Sequence, residues 1–154
     1  MKIQRGFTLV EVAVVTSLIV ILLGFITINL SRSQQSASLN STQQILITDL
    51  RQQQLKAMTG DTEGRATSDT YGIHFDQASY TLFHGTYLTT ETTNSVTSLP
   101  SGMQFNNSGY DIIFQKVSGE ITSAKIIELK DNRSSKLRKI HVNIFGVVAE
   151  VELL

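Results

Sequence analysis

Between Phe7 and Leu30 the chain carries a single charged side chain, Glu11, in a run otherwise made almost wholly of Val, Leu, Ile, Phe, Ala and small polar residues. As an α-helix this run is about 36 Å long at 1.5 Å per residue, enough to cross a hydrocarbon layer of about 30 Å. An ionised carboxylate inside such a layer costs on the order of 3 kcal/mol even on lenient insertion scales, so the residue calls for a functional reason.

What precedes the run narrows that reason. Met1 to Gly6 form a short leader with two basic residues, Lys2 and Arg5, which favour retention of the N-terminus in the cytoplasm and export of the rest. A conventional secretory signal is cut after its apolar core, beside small residues. Here a glycine stands before the core, so cleavage at Gly6-Phe7 leaves the apolar segment attached. An uncleaved single-span anchor explains the hydrophobicity equally well, but it does not explain Gly6, Phe7 and Glu11 together.

The basic leader, the Gly6-Phe7 junction and the glutamate four residues on, all directly ahead of an apolar helix, resemble the processing site of type IV pilins and the related pseudopilins. The resemblance implies that a prepilin peptidase removes residues 1–6, that the new N-terminal Phe7 is methylated, and that Glu11 serves filament assembly. It also implies partners: other pilin or pseudopilin subunits, the peptidase, an inner-membrane assembly platform, and membrane lipid before assembly. No cofactor is implied.

The role of Glu11 also follows from charge. Cleavage creates an α-amine on Phe7, with a reference pKa of roughly 7.7 to 8.0 and hence largely cationic at neutral pH. A carboxylate one turn along, near the free N–H groups and the positive end of the helix dipole, has local partners for its charge. In a stack of subunits it can instead meet a neighbour's amine. Because burying a charge without a partner is heavily penalised, such a pair sets axial register.

The helix is expected to continue to about Met58. Ser31 to Ser41 is polar but has neither proline nor glycine; beyond it Leu39, Leu46, Leu50 and Ala57 recur at helical spacing, with Ile45 and Ile47 widening the stripe. Seven glutamines between residues 34 and 54 fill much of the remainder, and glutamine is a good helix former without charge. Gly60 is placed to stop the helix. Gly24 reads as a packing glycine within the apolar half. The organisation expected is a leader over 1–6, a long helix over 7–58 with its transmembrane and assembly segment at 7–30, and a β-rich head over 59–154.

In the head, Tyr71, Ile73 and Phe75 alternate with Gly72 and His74, and Tyr80, Leu82 and His84 alternate again after Asp76 to Ser79, as a hairpin should. The run YGIHFDQASYTLFHG resembles the start of the globular domain in H-type pseudopilins and in minor pilins of the FimT and FimU kind. Thr86 to Gly102, rich in Thr and Ser and holding the only proline, reads as a long exposed loop or irregular edge. Strands are expected over 110–117, 124–129, 137–144 and 147–151. A two-residue turn at Phe145-Gly146 places Val147, Ala149 and Val151 on the face of Ile140, Val142 and Ile144. It also sets Lys139 opposite Glu152 and His141 opposite Glu150.

Chemistry is sparse. His74, His84 and His141 are scattered, with the first two on opposite faces of their hairpin, so no metal site is expected. Asp61, Glu63 and Asp69 lack the ladder of a calcium loop, and no nucleophile, phosphate-loop or zinc signature is present. Thirteen basic residues balance thirteen acidic ones; loss of Lys2 and Arg5 leaves eleven against thirteen. DNA binding therefore needs a local patch, for which Lys136, Arg138 and Lys139, with Lys130 and Arg133 nearby, are the candidates. Such phosphate contacts are salt-sensitive, and the aromatic residues expected of a single-strand site are missing.

The reading is an α+β chain, a long N-terminal helix packed on a C-terminal antiparallel β head, acting as a non-enzymatic minor pilin or pseudopilin of a type IV pilus or a type II secretion-like filament. It would reside first in the inner membrane with its head outside the cytoplasm, then in a periplasmic or surface filament. The alternatives are a major pilin, many of which carry a disulfide that this cysteine-free chain cannot form, and a DNA-binding minor pilin in DNA uptake.

Overall fold

Thr8 opens the helix. Its Oγ1 accepts from the Glu11 N–H at 3.2 Å and its carbonyl from the Val12 N–H at 3.2 Å, an N-cap that satisfies donors a helix start otherwise leaves free. The computed structural model describes residues 8–154, with the side chains of residues 25–33 outside that description. From the cap, α1 runs over Leu9–Thr59. It stops where Asp61 N–H bonds the Lys56 carbonyl at 3.0 Å and Gly60 N–H bonds that of Ala57 at 3.4 Å. This Schellman closure needs a left-handed residue, and Gly60 adopts φ 66° with no Cβ to oppose it.

Two compact units divide the chain, residues 1–37 and 38–154. In the second, the remaining turns of α1 lay one face on β structure. Leu39, Leu46, Ile47, Leu50 and Ala57 are buried, and Thr42, Gln43 and Gln53 complete the same stripe. Ile45 departs from expectation. It lies about 100° around the helix from Leu46 and remains 51% exposed.

The β structure forms two four-stranded antiparallel sheets. Sheet A has β3 (Ser95–Ser98), β2 (Ser79–His84), β1 (Tyr71–Phe75) and β5 (Tyr110–Phe114) in that order. Sheet B has β4 (Met103–Phe105), β6 (Lys125–Asp131), β7 (Lys136–Val142) and β8 (Val148–Leu153). Tyr71, Ile73, Phe75 and Tyr80 from one sheet and Phe105, Ile127, Leu129 and Ile140 from the other enter the same core cluster as the helix stripe. The α+β arrangement of a helix packed on an antiparallel β region, the layout of pilins, is thus what the chain adopts.

Several local expectations change. The segment 86–102 is not wholly loop: Ser95–Ser98 pairs with β2 as an edge strand. Its side chains are mostly exposed, so it lacks the apolar alternation that marks a half-buried strand. Met103–Phe105 is a further strand, too short to show a period, with both ends buried. The last hairpin has no two-residue turn. Asn143 and Val147 bond across a three-residue loop at 3.0 Å, and a bulge beside His141 and Val142 follows. Ile144 and Val147 consequently stay about half exposed instead of joining the buried face. The bulge restores the register beyond it, so Lys139 does pair with Glu152, Ile140 with Val151 and His141 with Glu150.

On the outer side of sheet A, Gly72 matters through space. A Cβ there would come within 2.5 Å of the Phe83 ring, so only glycine lets Phe83 lie across β1 and become buried.

Polar groups lock the helix to both sheets. The Tyr80 hydroxyl donates to Asp49 Oδ2 at 2.5 Å; burial and then the Asp49 carboxylate hold this phenol far above its ordinary pKa, keeping it a donor. Gln54 Nε2 donates to the Gly119 carbonyl at 3.0 Å and the Phe145 carbonyl at 2.7 Å, tying the β5–β6 and β7–β8 loops to α1. Gln54→Ala removes both bonds; water can reach the exposed Phe145 carbonyl but less readily the part-buried Gly119 carbonyl, and a loss of about 1 kcal/mol is expected. Urea unfolding should show a lower midpoint with unchanged slope. Gln54→Glu, an acceptor facing two acceptors, should be no better.

Candidate functional site

Along Leu9–Gly24 every described side chain is exposed, and the large ones are Val, Leu and Ile. The segment contains only three polar side chains. Thr16 Oγ1 returns its proton to the Val12 carbonyl at 2.9 Å and Ser17 Oγ to that of Val14 at 2.8 Å, so the helix itself satisfies both hydroxyls. Glu11 differs. Its backbone N–H is capped by Thr8, while its carboxylate has no hydrogen bond or ion pair with any described residue. Among the polar side chains of Leu9–Gly24, its carboxylate is the one with no bond to a described residue.

Thr8-Leu9-Val10-Glu11 has the spacing of a capping box. That signal was legible in the sequence and adds a local reason for an acid at this position, since a carboxylate in the first turn also complements the helix dipole. Gly6, Phe7, Lys2 and Arg5 lie outside the described residues. Among the described residues no helix is long and apolar enough to cross a membrane; Leu9–Gly24 amounts to about 24 Å of helix. The segment 7–30 extends at both ends into residues or side chains outside the description.

The basic candidates do not form one surface. Strand alternation turns Arg138 inward, where it is 8% exposed and its Nη2 donates to Asn40 Oδ1 on α1 at 3.3 Å. Lys136 shares that strand face but is exposed at the start of β7. Lys139 points to the other face, 3.9 Å from Glu128 and opposite Glu152. Arg133 Nε lies 3.0 Å from Asp131. Grouping Lys136, Arg138 and Lys139 as one patch is corrected by this geometry: neighbours in a strand project from opposite faces.

The three histidines and Glu63 each lie beside a polar neighbour in the head. His74 Nδ1 meets Asp111 at 2.5 Å and its ring stacks on Tyr87 with centroids 3.9 Å apart. His84 bonds Thr93 at 3.0 Å, and His141 lies 3.5 Å from Glu152. Glu63 binds Lys56 at 2.6 Å and Arg65 at 3.1 Å. Hydrogen bonding from Lys56, against the opposing effect of burial, lowers the Glu63 pKa. Among the described residues no His, Cys, Asp and Glu cluster could hold a metal.

Residues 1–27 match the family model described as the prokaryotic N-terminal methylation motif. The match supports a type IV pilin-like protein. No curated protein and no solved structure matches the chain. The matched residues include the whole leader, the Gly6-Phe7 junction, the Thr8 cap and Glu11, so the motif and the partnerless carboxylate coincide. For this pilin-like chain, assembly with other pilin subunits and processing by a prepilin peptidase are the associations the motif suggests.

Asp131, at the end of β6, orders the turn that carries much of the basic sequence. Its Oδ1 accepts from the Arg133 N–H and Nε, each at 3.0 Å, and its Oδ2 from Ser134 Oγ at 3.1 Å. Burial alone would raise this carboxyl; the bonds from Arg133 and Ser134 outweigh burial and hold it below its ordinary value. Its contribution is therefore fully present above the unfolded value of about 3.9 and is lost as pH falls through the lower folded value. Asp131→Asn should cost about 2 kcal/mol at neutral pH and flatten the acid limb of stability against pH, read by denaturant melts at stepped pH.

Proposed function

We propose that this chain is a structural subunit, a minor pilin or pseudopilin, of a type IV pilus or a type II secretion-like filament. The observation that carries the reading is the methylation motif over residues 1–27. Within it, Glu11 is the only polar side chain of Leu9–Gly24 left without a described partner. H-type pseudopilins and minor pilins of the FimT and FimU kind are the nearest subtypes by the resemblance of the first hairpin.

In this reading the segment 7–30 is a transmembrane anchor, oriented by Lys2 and Arg5 with the head outside the cytoplasm. A prepilin peptidase cuts after Gly6, Phe7 is methylated, and the subunit moves from lipid into a stack of apolar helices through an assembly platform. Exchange of lipid for protein around Val, Leu and Ile supplies packing contacts but little directional information. Glu11 supplies the direction: a carboxylate surrounded by apolar side chains is favourable only at the axial position where a neighbour's cationic amine meets it. The action is structural, and the head decorates the filament.

Intact mass and N-terminal sequencing of protein recovered from membranes and from sheared filaments test this. The expected product begins at methylated Phe7. Glu11→Ala is expected to be processed normally yet incorporated at least tenfold less well. A mature chain that retains Met1 to Gly6, or full incorporation of the alanine variant, would overturn the mechanism.

A further inference from the structure

The segment 86–94, between β2 and β3, is held to sheet A through Tyr87 and Thr93. The Tyr87 ring stacks on His74 of β1, with centroids 3.9 Å and planes 10° apart, and leans over Phe83 of β2 at 5.3 Å. Thr93 Oγ1 lies 3.0 Å from His84 Nε2. The bonds of Glu91, Asn94 and the Leu88 carbonyl stay within the segment. Of its side chains only Tyr87 and Asn94 are not exposed, so the stack on His74 is its main anchor.

His74 sits between two carboxylates. Its Nδ1 meets Asp111 of β5 at 2.5 Å, and its Nε2 lies 3.5 Å from Asp76 in the β1–β2 turn. Neither acid has another ion pair among the described residues. Lys125 lines a cleft with Asp111 but lies over the Tyr110 ring, and the residue opposite His74 on β2 is the uncharged Thr81. A neutral imidazole has one N–H and one lone pair, whereas the imidazolium has an N–H on both nitrogens. With an acceptor on each side, only the charged ring satisfies both contacts.

We propose that His74 is a pH-sensitive latch for the segment 86–94. When charged, it bridges Asp76 and Asp111 and offers Tyr87 a cation, which the ring face attracts. When neutral, it loses that attraction and turns a lone pair toward one carboxylate, so Tyr87 lifts away and uncovers Phe83, which is 3% exposed in the closed arrangement. The contacts favour the protonated ring, so closure is complete at low pH and is lost as pH rises through the titration of His74. The other tie is indifferent to pH: the Thr93 hydroxyl both donates and accepts, so it bonds His84 in either charge state and acts as the hinge.

The chain has no cysteine, so Thr90→Cys places a lone nitroxide spin label on the segment in the full chain in detergent. Its EPR spectrum is recorded from about pH 5 to about pH 8, where histidine ordinarily changes charge, and the mobile fraction is expected to grow about threefold with rising pH. Its midpoint should match that of the His74 ring followed by NMR. In His74→Gln the mobile fraction should no longer change with pH, and in His84→Gln it should still change. Asp76→Asn, at an exposed turn, removes one of the two negative charges; it should move the midpoint to lower pH and serves should His74→Gln fail to fold. A mobile fraction independent of pH in the parent, a transition that persists in His74→Gln or disappears in His84→Gln, or a midpoint unmoved by Asp76→Asn would overturn the proposal.

Discussion

The burial of one helix face is the interaction on which the head depends. Neither four-stranded sheet closes on itself, and each has a face of aromatic and aliphatic side chains that must be covered. The stripe from Leu39 to Ala57 meets both faces at once, so Tyr71, Phe75, Ile127, Leu129 and Ile140 join one core cluster. Hydrophobic burial has no direction, and polar contacts set the fit. Asp49 receives the Tyr80 hydroxyl from sheet A, Asn40 receives Arg138 from sheet B, and Gln54 holds two loops.

The first unit obeys the same chemistry with a different result. Over Leu9–Gly24 its two hydroxyls bond back to the helix, its apolar residues lie exposed, and its one carboxylate has no partner among the described residues. Such a surface is unfavourable in water but suited to lipid or to other helices like it. A match to a methylation motif over these residues agrees with that physical reading. It does not distinguish among major pilin, minor pilin and pseudopilin, because the motif lies at the end that such subunits have in common.

Charge shows why linear sequence can mislead about surfaces. Lys136, Arg138 and Lys139 look like one patch along the chain, yet the two-residue period of a strand separates Arg138 from Lys139. Arg138 then serves packing against α1, and Lys139 sits among Glu128 and Glu152. The opposite case is Gln53, unremarkable in a glutamine-rich helix until its face is seen to be buried and its oxygen unpartnered.

Sequence alone determined whatever depends on local periodicity and on a single position. The stripe Leu39, Leu46, Leu50 and Ala57, the stop at Gly60, the first hairpin and the singular Glu11 all follow from short-range spacing, whereas Lys139 meets Glu152 only because a bulge offsets the three-residue loop. Even the Thr8 cap was available in the four residues TLVE. Tertiary structure alone decided the division into two sheets, the strand identity of Ser95–Ser98 and Met103–Phe105, the bulge near His141, the exposure of Ile45 and the burial of Arg138. Each depends on which partner strand or helix lies alongside, and that long-range pairing leaves no period in a short polar or three-residue segment.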